Sequence, residues 1–209
     1  MKPLFYITVA AVLALTAADD VDVDVSAELE KHMTQYKELA ISEFNRMCPN
    51  RENEMKVALE QVEECANKIT NYNRNTMCNI FHTHFVECTK PLNKLFVDCV
   101  PEDAKGTPEF IFHAMARLND YICTMDGEHI IELLNPCFWW GGTDDDVNCV
   151  TNVMKKYSYM KDKMPTKVQL CHLLDELNVC LGDPLKKSCK NPVTRETYAR
   201  IFQAIHAGC

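Results

Sequence analysis

Twelve cysteines constrain this chain more than any other feature of its sequence. They are Cys48, Cys65, Cys78, Cys88, Cys99, Cys123, Cys137, Cys149, Cys171, Cys180, Cys189 and Cys209. An even number in an oxidising compartment predicts about six disulfides. Zinc is the competing use of cysteine, but structural zinc sites lean on Cys-x-x-Cys pairs, and the chain has none. Spacing also excludes some pairings. A helix running through Cys171 and Cys180 holds their Cα atoms roughly 13.5 Å apart on opposite faces, whereas a disulfide needs about 4.4–6.8 Å. These two are therefore expected to share a helix and to bond to different neighbours. Cys88 with Cys99 is disfavoured in the same way unless the chain folds back at Pro91. The rest of the connectivity stays open.

The oxidising compartment is written into the first residues. Lys2 supplies a positive start, Leu4 to Leu15 form an apolar run, and Thr16-Ala17-Ala18 offers small residues for cleavage. Residues 1–18 are read as a secretory signal peptide, cleaved after Ala18. The run is too short to span a bilayer, and no later segment has about 18 uncharged apolar residues in a row. The chain is therefore expected to be exported, secreted and extracellular, with no membrane span. Residues 19–26, rich in Asp, are expected to form an acidic flexible leader, because carboxylates repel and few apolar groups offset the cost of ordering. The formal charge of −8 argues against nucleic acid and anionic membranes as partners, since both attract basic surfaces.

Apolar residues recur at helical spacing along the remainder. Leu29, Met33, Tyr36, Ala40, Phe44 and Met47 mark a first helix with Ser26 as its cap, ended by Pro49-Asn50. Met55, Leu59, Val62 and Ile69 mark a second, and Cys78, Phe81, Phe85 and Cys88 a third. Pro91 and Pro101 bracket a short helix bearing Leu92, Leu95 and Phe96. Thr107-Pro108 reads as a cap followed by proline in a first turn, opening a helix with Ile111, Met115, Leu118 and Ile122 on its buried face. Asp126-Gly127 and Asn135-Pro136 punctuate the next stretch. Val147, Val150, Met154 and Tyr157 mark a further helix, and Leu170, Leu174, Leu177 and Leu181 another. The last starts near Asn191-Pro192 or Thr194 and uses Tyr198, Ile201, Phe202 and Ile205. The prediction is an all-α, compact bundle of about eight or nine short helices cross-linked by disulfides, with residues 27–209 as a single cysteine-rich domain. Helices this short need packing and cross-links to persist.

Phe85-Val86-Glu87-Cys88, Cys99, Cys123, Asp126-Gly127-Glu128-His129-Ile130, Cys137 and Cys149 follow one another in a recognisable order. Cys171-His172-Leu173-Leu174-Asp175-Glu176-Leu177-Asn178-Val179-Cys180, Cys189 and Cys209 complete it, with Cys48 and Cys65 ahead. This order resembles the insect 27 kDa haemolymph glycoprotein family over most of the chain after residue 18. Cysteine-rich helical secreted domains of nematodes are similar as well. The first resemblance implies a secreted, helical, disulfide-bonded protein of haemolymph or other secretions, and it brings no catalytic residues. Asn67-Lys68-Ile69 and Asn75-Thr76-Met77 are not Asn-x-Ser/Thr sequons, and the chain contains none, so the N-glycan that the family name implies is not expected.

Other constellations have ordinary explanations. His82 and His84 stand two apart, so on a helix they do not face each other, and a metal would need a third ligand such as His113 or His129. They are read as surface histidines, with no metal site. Thr143-Asp144-Asp145-Asp146 lacks the spacing and glycine of an EF-hand and reads as the acidic start of a helix. There is no Gly-x-Ser-x-Gly elbow, and no cysteine is left over as a thiolate. No cofactor is expected, and the protein is read as a non-enzyme. Phe138, Trp139 and Trp140 form the candidate ligand-binding site, since three consecutive large aromatics cannot all face one core from a helix. The competing reading packs them around Cys137 and Cys149. Two functions follow: an extracellular carrier of a small apolar ligand, or a secreted interaction or defence factor that presents an aromatic patch to a protein or cell surface.

Overall fold

The computed structural model describes residues 23–70, 75–140, 144–161 and 163–209, with the backbone alone for residues 23–33, 36, 139, 140, 144 and 161. The expected signal peptide and residues 19–22 of the leader lie outside the described residues. Among those described the chain is all-α and contains no strand. The helices are α1 (Val23–Met47), α2 (Glu52–Asn67), α3 (Met77–Cys88), α4 (Lys90–Cys99), α5 (Gly106–Thr124), α6 (Gly127–Glu132), α7 (Pro136–Trp140), α8 (Asp144–Lys156), α9 (Lys167–Ser188) and α10 (Pro192–His206). Tight 3-10 turns occur at Glu102–Ala104 and Ser158–Lys161. None of the described helices is long and apolar enough to cross a membrane.

Polar side chains start several helices. Thr76 accepts from the Asn79 N–H at 3.2 Å, Asp126 from His129 at 3.0 Å and Asn191 from Val193 at 2.9 Å. At α9 the capping is reciprocal: Thr166 accepts from the Gln169 N–H at 3.2 Å, and Gln169 Oε1 accepts from the Thr166 N–H at 2.9 Å. Each such cap contributes about 1 kcal/mol. Between α1 and α2, Asn50 takes a φ of 67°, a left-handed conformation that asparagine tolerates better than most residues.

Two expected starts move. α1 begins at Val23, so Ser26 lies inside the helix and residues 23–26 are not extended. Acidic residues suit the positive N-terminal end of a helix, and that attraction opposes the repulsion expected to extend them. α5 begins at Gly106, which places Thr107 and Pro108 in its first turn, where proline forfeits no backbone hydrogen bond. Thr107 is fully buried there.

By its contacts the described chain divides into two compact units, one ending at Phe112 and including Lys161–Met164, the other His113–Met160 with Pro165–Cys209. The division falls inside α5, so no polar linker announces it. In the first unit α1, α2 and α4 enclose a core of Phe44, Met55, Leu59, Val62, Leu92 and Phe96. Phe44 and Phe96 meet edge to face at 5.2 Å between ring centres. Full burial of side chains of this size contributes roughly 1.5–3 kcal/mol each. Lys37 Nζ also donates to Glu63 Oε1 at 2.6 Å, tying α1 to α2.

In the second unit Val153 of α8 and Tyr157, just after that helix, pack with Leu173 and Cys180 of α9. This face differs from the expected one: Val147 and Leu181 are exposed, while Leu170, Leu174 and Leu177 are half-buried. The Cys149–Cys180 bridge turns toward each other the faces that carry the cysteines. Leu173 lies two turns before Cys180, and Val153 one turn after Cys149. On α5, likewise, Phe110, Phe112 and Ala114 are buried, Ile111, Met115 and Leu118 half-buried, and Ile122 exposed.

Two disulfides lie in the first unit and three in the second. Cys48–Cys99 and Cys65–Cys88 cross-link the first, with Cα separations of 5.8 and 5.4 Å. Cys137–Cys189, Cys149–Cys180 and Cys171–Cys209 cross-link the second, at 5.7, 5.5 and 5.6 Å. Cys78 and Cys123 are also disulfide-bonded, and no cysteine is free. Cys171 and Cys180 share α9 and bond to different partners, and Cys88 does not pair with Cys99, as helix geometry requires.

Candidate functional site

The aromatic run lies on α7, a helix of one turn that follows Asn135. Asn135 Oδ1 accepts from the Cys137 N–H at 3.0 Å, and the Asn135 carbonyl accepts from the Phe138 N–H at 2.9 Å. Phe138 is half-buried, with its ring 6.1 Å from that of Tyr198 on α10 in an edge-to-face arrangement. It therefore packs within the second unit, on the α10 side. The side chains of Trp139 and Trp140 lie outside the described residues. Just upstream, Ile131 and Leu134 are 67% and 81% exposed, and Ile130 is exposed beside them, so an apolar surface leads into the run. Glu132 fixes this segment to α10: its carboxylate accepts from Thr194 Oγ1, from Asn135 Nδ2 at 2.7 Å and from Asn191 Nδ2 at 3.0 Å.

Among the described residues neither the histidine pair nor the acidic run gathers a metal centre. His82 and His113 are exposed, while His84 and His129 are half-buried. His129 Nδ1 is 2.8 Å from Asp126 Oδ1, part of the α6 cap. Asp144, Asp145 and Asp146 open α8, and Thr143 lies outside the described residues. Among the described residues no three His, Cys, Asp or Glu converge as metal ligands.

A groove appears instead in the first unit, between α2 and α4, with a volume of about 400 Å³. It opens to solvent. Ala58 and Leu95, both buried, line its floor, with Val57 above them. Its walls carry Arg51 and Glu54 from the start of α2, and Lys94 and Asp98 from α4. Arg51 grips Glu54 twice, Nε to Oε1 at 2.8 Å and Nη2 to Oε2 at 2.5 Å. Lys94 Nζ donates to Asp98 Oδ2 one turn along α4. The Cys48–Cys99 bridge brings the start of α2 to the end of α4, which sets Arg51 and Asp98 at one end of the groove.

These four charges sense one another. The hydrogen bonds that Arg51 donates to Glu54, together with the nearby charge of Asp98, push the Arg51 pKa above its ordinary value. The hydrogen bond from Lys94 pulls Asp98 below the usual carboxylate range, and Arg51 adds to that. The hydrogen bond from Arg51 likewise lowers Glu54, so Arg51, Glu54 and Asp98 stay ionised at neutral pH. The arrangement can hold an apolar body against Val57 and Leu95 while offering charges of both signs at the rim. No sequence expectation singled out Arg51, Glu54, Val57, Lys94 or Asp98. The available signal was Val57, a β-branched apolar side chain on the polar face of α2, which is 50% exposed.

Nothing among curated proteins or solved structures matches the chain. A family model described as a protein of unknown function (DUF1397) matches residues 40–208. That span takes in both walls of the groove and the aromatic run. The chain belongs to this family of proteins of unknown function, DUF1397.

Proposed function

We propose that the protein is a secreted, non-enzymatic extracellular binding protein that carries a small ligand with an apolar body. The groove between α2 and α4 carries this reading, since its volume of about 400 Å³ falls in the range of small-molecule sites. Residues 1–18 supply the export signal, and the fully bonded cysteines suit an oxidising fluid. The resemblance to the insect 27 kDa haemolymph glycoproteins supports haemolymph or another secretion as that fluid. Native mass spectrometry of the secreted, oxidised protein tests the reading. A stoichiometric passenger released by denaturation is the expected result. An empty protein that binds no lipid probe would overturn it.

A second reading rests on a different observation. Exposed Ile130, Ile131 and Leu134 lead into Phe138-Trp139-Trp140, and such surfaces are favoured in contacts between proteins. In that reading the protein is an interaction or defence factor. I131D/L134D would then abolish association with the partner recovered from the native fluid and leave groove binding intact. Unchanged association would discard it.

A further inference from the structure

We propose that the groove between α2 and α4 binds a small zwitterion, a molecule with an ammonium and a carboxylate at one end and a compact apolar body at the other. The proposal rests on the carrier reading and names the ligand class. Size sets the first limit. Taking about 30 Å³ per water as a gauge, the groove of about 400 Å³ holds roughly a dozen non-hydrogen atoms. A long acyl chain would extend beyond it.

Charge sets the second limit. The walls carry two cations, Arg51 and Lys94, and two anions, Glu54 and Asp98. A ligand with a single charge meets attraction and repulsion together. A zwitterion matches both signs, with its carboxylate on the guanidinium or ammonium and its own ammonium on the side-chain carboxylates. Arg51 suits the carboxylate best, because its planar fork binds two oxygens at once.

The existing ion pairs do not block the exchange. Arg51–Glu54 and Lys94–Asp98 are pairs three and four residues apart, and Glu54, Lys94 and Asp98 are well exposed while Arg51 is half-buried. Pairs of that kind contribute little to stability, so trading one partner for a ligand group costs little. The site is also held in shape. Cys48–Cys99 joins the two walls at one end, and Ala58 and Leu95 are buried in the core beneath. Val57, half-exposed in the free protein, is the surface that the apolar body would cover.

The test uses the full oxidised protein and methyl NMR, following Val57 and Leu95. Three probes share one body: L-phenylalanine, 3-phenylpropanoate, which lacks the ammonium, and 2-phenylethylamine, which lacks the carboxylate. L-phenylalanine should shift both methyl sets saturably and bind at least tenfold more tightly than either relative. R51Q should weaken L-phenylalanine and 3-phenylpropanoate at least tenfold and leave 2-phenylethylamine unchanged. D98N should weaken L-phenylalanine and 2-phenylethylamine instead. Equal binding of all three probes would overturn the zwitterion proposal while leaving an apolar carrier in place. No shift with any probe would overturn it too, and native mass spectrometry would then decide separately whether the protein carries a passenger elsewhere.

Discussion

Gly182, buried within α9, shows how closely single side chains are fitted in the second unit. A Cβ at that position would lie 3.2 Å from Asn178 Oδ1 and 3.2 Å from Tyr198 Cε1. Those two neighbours are joined, since Tyr198 Oη donates to Asn178 Oδ1 at 3.1 Å. G182A would gain about 1 kcal/mol of helix propensity and lose about 1–3 kcal/mol to overpacking. The net expectation is a loss of about 1 kcal/mol in denaturant unfolding; a more stable variant would mean that the pair gives way freely. Burial also pushes the Tyr198 phenol up to about 12. The folded state therefore holds this proton more tightly than the unfolded state. The associated stability is complete below about pH 10 and declines as pH rises through about 12. An absorbance titration should show one phenolate step delayed to that range and missing in Y198F. Tyr198 was legible as a residue on the inner side of the last helix from its spacing to Ile201, Phe202 and Ile205. Gly182 was not, because a glycine within a helical pattern does not reveal which ring lies against it. Phe138 falls between these cases: its importance shows in the run of aromatics, and its partner does not.

Helices were easier to read than their faces. Proline, glycine and capping residues mark starts and stops locally, and those marks survive folding at Asp126 and Asn191. Which stripe is buried depends on a neighbour elsewhere in the chain. On α8 and α9 the Cys149–Cys180 bridge selects the face, and a leucine repeat alone points one step away. The groove has the same origin, since Val57 and Lys94 look like ordinary surface residues until α2 and α4 lie side by side. Glu132 is an element-scale device of this kind, with one carboxylate holding Thr194, Asn135 and Asn191. The hydrogen bonds from Thr194 and then Asn135 hold its pKa below the usual carboxylate value. The linked stability is present above the unfolded pKa, about 4.3 for glutamate, and fades as pH falls through the lower folded value. E132Q is expected to melt at a lower temperature at neutral pH and to lose part of the acid sensitivity of the parent. Identical melting curves for the two proteins from pH 3 to 7 would show that the carboxylate charge contributes nothing.

For the molecule as a whole, the cysteines determine what holds together. The sequence excludes bridges along one helix but cannot choose among the rest, because pairing depends on which helices become neighbours. Cys65–Cys88 closes a separation of 23 residues in the first unit, and Cys149–Cys180 one of 31 in the second. Chain entropy assigns each closure about 3–4 kcal/mol, a large share of the 5–15 kcal/mol typical of a folded domain. Cys88 and Cys180 are also buried, so replacing them with alanine removes packed sulfur as well as the tether. C65A/C88A and C149A/C180A should therefore both fold less stably, and the damage should stay within the unit that loses its bridge. Hydrogen exchange distinguishes a local loss from a global one, since amides open in cooperative groups with their own free energies. In C65A/C88A the amides of α2 and α3 are expected to lose protection while those of α8 and α9 keep it, and C149A/C180A should show the reverse. A uniform rise in exchange across both units, from either variant, would mean that the chain unfolds as one body and that the bridges act on that body alone. The local outcome would also keep the groove intact in C149A/C180A, so that binding measured there reports on α2 and α4 without help from the second unit's cross-link.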